Sequence, residues 1–157
     1  MGLLRRTSVP GLRYGALLAV LLAPPALVHA DDPMIGSVKT LQGRATIIRG
    51  AQSLAVTEGM HLFAKDLIRT ESDGIVGFIL RDGTRISLGP QTELGIDRFL
   101  YEPADKKLGL LLNLVRGIAI YVSGKIAQFS PESVEVRTPV GLIGLRGTEF
   151  AVKLEQP

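Results

Sequence analysis

Ile75-Val76-Gly77-Phe78-Ile79-Leu80-Arg81-Asp82-Gly83-Thr84-Arg85-Ile86-Ser87-Leu88 is the stretch on which the fold turns. Two runs rich in β-branched and large apolar residues flank Asp82-Gly83, a dipeptide that tolerates the positive φ angles of a two-residue type I′ turn. Such a turn predicts Arg81 opposite Thr84, Ile79 opposite Ile86 and Gly77 opposite Leu88. The core face is then Ile75, Ile79, Ile86 and Leu88. The other face still carries Val76, Phe78 and Leu80, so the first strand needs cover on both sides. That requirement points to a sandwich or a roll and away from a single open sheet.

Outward from this hairpin, the chain keeps reading as short strands punctuated by glycine. Gly43 to Gly50 is a half-buried strand, Ser53 to Thr57 alternates, and Asp66 to Thr70 closes at Glu71-Ser72-Asp73-Gly74. After Gly89-Pro90 comes a strand from Leu94 to Tyr101 and a polar loop from Glu102 to Lys107. The leucines of Leu108–Val115 would fit two turns of helix. Gly109, Gly117 and the β-branched Ile118, Ile120 and Val122 favour strand instead. Ser123-Gly124-Lys125 reads as a turn, Gln128 to Ser133 as a loop and Val134 to Arg137 as a strand. The last strand, Glu149 to Leu154, directs Phe150, Val152 and Leu154 inward. The expected fold is all-β: a compact β-sandwich or short β-roll of about ten short strands.

The first thirty residues read differently. Arg5, Arg6 and Arg13 precede an apolar run, Tyr14 to Val28, and Val28-His29-Ala30 places small residues at −3 and −1 of a cleavage site. That order is a helical secretory signal peptide, with cleavage expected after Ala30. The run falls short of the roughly 20 apolar residues that cross a bilayer, and Pro24-Pro25 interrupts it. The expected organisation is a signal peptide at 1–30 and one β domain at 31–157, periplasmic or secreted, with no membrane span after cleavage.

Removing the leader changes the charge argument. The whole chain has 18 basic and 15 acidic residues, and the three surplus positives are Arg5, Arg6 and Arg13, so the rest is balanced. Nucleic-acid binding needs a clustered positive surface; here Lys and Arg alternate with Asp and Glu, so no nucleic acid is expected. The sequence has no cysteine, which removes disulfides, thiolate metal sites and cysteine nucleophiles.

Catalytic constellations are scarce. His61 is the one histidine after the leader, too little for a zinc or iron site of usual ligands. No serine sits in a Gly-x-Ser-x-Gly elbow. Gly124-Lys125 lacks the Ser/Thr and the leading glycine of a phosphate loop. The acid pairs Glu93/Asp97 and Asp66/Glu71 are the remaining candidates for bond cleavage, and acids beside turns are usually solvated. The chain reads as a non-enzyme without catalytic, metal or cofactor residues.

The C-terminal run Val134-Glu135-Val136-Arg137-Thr138-Pro139-Val140-Gly141-Leu142-Ile143-Gly144-Leu145-Arg146-Gly147-Thr148-Glu149-Phe150 carries the strongest likeness to a known family. It resembles the last block of the FecR domain family: valine-x-Thr-Pro, a short apolar stretch, then Arg-Gly-Thr-x-Phe. Lys65–Thr70, Leu80–Leu88 and Val122–Ala127 resemble its earlier blocks, so the likeness runs from about Gly36 to Val152. It implies a β domain of the bacterial envelope with a protein-contact role. The family's regulators carry a cytoplasmic anti-sigma segment, a membrane span and a further C-terminal region. This chain shows a leader in place of the first and ends soon after the Arg-Gly-Thr block, so direct sigma-factor contact is not expected. The signature residues Asp82, Gly83, Thr138, Pro139, Arg146, Gly147 and Thr148 are read as structural. Pro139 fixes φ and restricts Thr138 to extended geometry, so the pair should end a strand.

Two functions remain in view. The first is interaction with another envelope protein, conveying or scaffolding a signal. The second is a glycan- or peptidoglycan-binding β module, which would need exposed aromatic platforms. Its candidates are Phe63, Phe99, Tyr101, Tyr121 and Phe129.

Overall fold

Lys107–Val122 forms a single sixteen-residue strand, which settles the leucine-rich segment in favour of strand and makes it the spine of the fold. The computed structural model describes residues 32–144 and 149–154. Residues 1–30, expected to be a leader, and the signature residues Arg146, Gly147 and Thr148 lie outside them.

In chain order the strands are β1 (Gly36–Gln42), β2 (Ala45–Arg49), β3 (Gln52–Ala55), β4 (His61–Leu62), β5 (Leu67–Thr70), β6 (Ile75–Leu80), β7 (Arg85–Leu88), β8 (Glu93–Glu102), β9 (Lys107–Val122), β10 (Val134–Thr138), β11 (Gly141–Gly144) and β12 (Glu149–Leu154). A five-residue helix, α1 (Lys125–Phe129), and a 3-10 turn at Pro131–Ser133 occupy the segment expected to be turn and loop. Pro131 at the start of that turn has a preset φ and no N–H to satisfy there.

All twelve strands belong to one curled sheet, the roll of the two architectures expected. The first half of β9 runs antiparallel to β8 and parallel to β10. Its second half runs antiparallel to β7 and β12. The switch falls at Gly117, whose φ of +89° suits glycine. A Cβ there would lie 2.3 Å from Thr92 Oγ1 and 2.5 Å from the Thr92 Cα. Thr92 takes this close approach because its hydroxyl accepts from the Ile118 N–H at 2.9 Å, while its own N–H donates to Thr70 Oγ1 at 2.8 Å. The Thr70 hydroxyl donates to the Gly89 carbonyl at 2.7 Å. Two buried threonines thus bond backbone groups of Ile118 and Gly89 beside the bend.

The hairpin is displaced by one residue from the sequence reading. Phe78 pairs with Ile86, Gly77 with Ser87 and Val76 with Leu88. The loop holds three residues, Arg81-Asp82-Gly83. The Gly83 N–H donates to the Leu80 carbonyl and the Leu80 N–H to the Thr84 carbonyl. Gly83, at φ +86°, occupies the left-handed position of such loops. A slip of one exchanges the faces, so Val76, Phe78 and Leu80 are buried with Ile86 and Leu88, while Ile75 is 42% exposed. The expected core roles of Ile75 and Ile79 are therefore corrected.

One cluster of buried side chains joins both arms of the roll, including Val38, Ile47, Ile68, Phe78, Leu94, Leu110, Leu114 and Tyr121. Phe150, Val152 and Leu154 of β12 pack against it, as the alternation predicts. No helix among the described residues is long and apolar enough to cross a membrane.

Candidate interaction surface

Of the signature residues that the structure describes, Asp82 and Thr138 are buried, while the turn residues Gly83 and Pro139 are exposed. Asp82 is 1% exposed, and its carboxylate is surrounded by donors. Oδ1 accepts from the Thr84 N–H at 3.0 Å; Oδ2 accepts from the Thr84 hydroxyl at 2.7 Å and the Ile126 N–H at 3.3 Å. The Lys125 N–H donates to the Asp82 carbonyl at 2.8 Å. Gly124 permits this contact, since a Cβ would lie 2.3 Å from the Thr84 nitrogen. Two sequence blocks 44 residues apart are thereby fastened together. Thr138 ends β10 before Pro139, as expected, and its hydroxyl donates to the Gly141 carbonyl at 2.9 Å, closing the hairpin to β11.

Tyr121 is buried beside this knot. Its hydroxyl lies near Thr84 and Ser123 but makes no hydrogen bond of full geometry among the described residues. Burial, foremost, pushes its pKa up; the neighbouring hydroxyls oppose the shift and the Asp82 charge adds to it. In the unfolded chain a tyrosine ionises near pH 10. The neutral phenol therefore contributes stability that is complete below about pH 10 and lost as pH rises toward the folded value. Melting temperatures measured from neutral pH into this alkaline range should fall more steeply for the native chain than for Tyr121→Phe.

Three of the four candidate acids, Asp66, Glu93 and Asp97, are matched to arginines. Asp66 is fully buried and receives two bonds from Arg49 at 2.8 Å and one from the Phe63 N–H at 2.9 Å. Arg49 also lies 4.3 Å from the Phe63 ring centre and donates to the His61 carbonyl. Hydrogen bonding to Asp66, foremost, raises the Arg49 pKa. Glu93 meets Arg69 at 3.1 Å and Arg116 at 3.4 Å, and Asp97 faces Arg137 at 3.8 Å. These carboxylates hold strands together, and the His61 side chain points to solvent. Among the described residues no three His, Cys, Asp or Glu side chains gather as a metal site.

Three large apolar side chains face outward near the C-terminal end. Phe129 is 66%, Val140 88% and Leu142 60% exposed. Phe129 borders a pocket of about 350 Å³ with Pro103, Lys106, Leu108 and Ser130. It ends α1 and overhangs the start of β9. Of the five aromatic platforms considered for sugars, Phe129 is the one in the exposed class; Tyr121 is buried, and Phe63, Phe99 and Tyr101 are partly so. Val140 and Leu142 belong to the β10–β11 hairpin. Sequence reading placed them in a structural block, because alternation alone does not say that β11 has one neighbour.

No curated protein and no solved structure matches the chain. The family model described as FecR protein matches residues 66–157, beginning at the Asp66 that Arg49 clamps and taking in β5 to β12. Strands β1 to β4 precede the matched segment, although β1 pairs with β6 and β2 with β5 inside the same sheet. With more than half its length matched, this chain belongs to the FecR family, a non-enzymatic regulatory family.

Proposed function

We propose that this chain is a non-catalytic FecR-type domain that is exported by its leader, binds another protein of the bacterial envelope and relays or scaffolds a signal. One contrast carries the reading. The polar signature groups that the structure describes, Asp82 and Thr138, are engaged inside the fold together with Thr84, whereas Phe129 and its pocket are open. A concave apolar site rimmed by Lys106 and Ser130 suits an apolar side chain of a partner, which would lose its contact with water there. Export is supported by the order of charge, apolar run and small residues in Met1–Ala30.

The full chain, expressed with its leader and used as bait on envelope extract, should capture a defined protein. Phe129→Ala should reduce that capture roughly tenfold or more, as truncation of a central aromatic contact does, while leaving the melting curve in place. Recovery of nothing by a folded bait, or equal capture by both forms, would count against the proposal. The N-terminus of the exported form should be Asp31. Sedimentation with purified cell wall distinguishes the glycan reading, for which a single open aromatic ring is a small platform.

A further inference from the structure

We infer that the open edge of β11 pairs with β11 of a second copy of this chain, forming a two-fold dimer through a continuous antiparallel sheet. This surface is separate from the Phe129 pocket, and the inference stands whether or not that pocket binds a partner.

Strand edges that natural proteins leave open are usually short, charged or bulged, because a bare edge recruits another strand. Two of the other outer strands follow that rule, β4 with two residues and β12 with Glu149 and Lys153, while β3 is uncharged but polar at Gln52 and Ser53. β11 is Gly141-Leu142-Ile143-Gly144, with no charge on the strand and, among the described residues, β10 as its one neighbour.

The register to β10 determines what the edge offers. Thr138 pairs with Gly141 across a two-residue turn, and Arg137 with Leu142. Residues flanking such a turn exchange their hydrogen bonds with each other, and alternation then directs the N–H and C=O of Leu142 and Gly144 to the open side.

A two-fold axis normal to the sheet keeps each face on its own side, so it must pass through a residue. Placed at Leu142, it sets Leu142 opposite Leu142 of the second copy and exchanges two backbone hydrogen bonds between them. It also sets Gly141 opposite Ile143 and Gly144 beside Val140, a small residue against a large one each time. Space exists for this, because a Cβ on Gly141 or Gly144 would meet nothing within 4 Å. The exposed apolar side chains of this hairpin, Val140 and Leu142, then gather with their copies on one face. Charge does not oppose the association. After Arg5, Arg6 and Arg13 the chain balances 15 basic residues with 15 acidic, so two copies meet without net repulsion.

Sedimentation velocity of the full chain as expressed, over a roughly hundredfold range of concentration, should show conversion from monomer to dimer by mass action. Leu142→Lys should return the protein to monomer with an unchanged circular dichroism spectrum, since this side chain is open and β11 has one neighbour. The chain has no native cysteine, so the register can be read directly. Opposed residues in such a pair lie about 5.5 Å apart, within disulfide range. Leu142→Cys should form a disulfide-linked dimer under mild oxidation, and Gly144→Cys should not. A monomer at every concentration, a dimer unaffected by Leu142→Lys, or cross-linking at position 144 but not 142 would each overturn the inference.

Discussion

Gly117→Ala is expected to be among the most destabilising single substitutions in this protein, costing about 4 kcal/mol in urea or thermal unfolding. Two penalties add. A non-glycine residue held at φ +89° costs about 1–2 kcal/mol. The new methyl would also sit 2.3 Å from Thr92 Oγ1 and 2.5 Å from its Cα, and overpacking against such an obstacle costs about 1–3 kcal/mol. Thr92 cannot simply withdraw, because its hydroxyl holds Ile118 and its N–H holds Thr70. Gly50→Ala is the control. Gly50 has a φ of +57°, but a methyl added there would meet nothing within 4 Å, so the substitution should cost about 1 kcal/mol, from the backbone alone. Equal losses at the two sites would show that the contact with Thr92 does not constrain the corner.

The second large effect is expected at Asp82. Asp82→Ala leaves the Thr84 N–H, the Thr84 hydroxyl and the Ile126 N–H without their acceptors in a buried place. At about 1 kcal/mol or more for each donor stranded, the loss should be about 3 kcal/mol. Asp82→Asn keeps one oxygen for the Thr84 N–H but turns an amide donor toward the others, so it should fall between the native chain and the alanine form. Urea unfolding measures both. An asparagine form as stable as the native chain would mean that the second oxygen is dispensable. Either loss is a large part of the roughly 5–15 kcal/mol by which domains are usually stable.

The two corners differ in how they could be read from the sequence. Asp82-Gly83 was visible as a turn, and the strands around it were placed correctly, yet the pairing was off by one. The reason is that Ile75–Leu80 is apolar on both faces, so alternation did not distinguish Ile75 and Ile79 from Val76, Phe78 and Leu80. In the register observed, the Asp82 carboxylate reaches the Ile126 N–H, 44 residues along the chain, a contact that alternation does not encode. The Thr70–Thr92 knot had no sequence signal of its own, because buried and exposed threonines in strands look alike. The candidate surface was half legible. Phe129 was already among the aromatic residues considered, but its exposure follows from its place at the end of α1.

By itself the sequence determined the leader pattern, the charge balance, the absence of thiol chemistry, the all-β class, the strand end at Thr138-Pro139 and the inward face of β12. Those are local properties: hydropathy, period and the stiffness of proline act within a few residues. Tertiary structure alone decided the hairpin register, the bend of β9 at Gly117, the parallel pairing of β10 with β9 and the bare edge of β11. Each depends on which distant segment lies alongside, and a period of two assigns a side chain to a face without naming its neighbour.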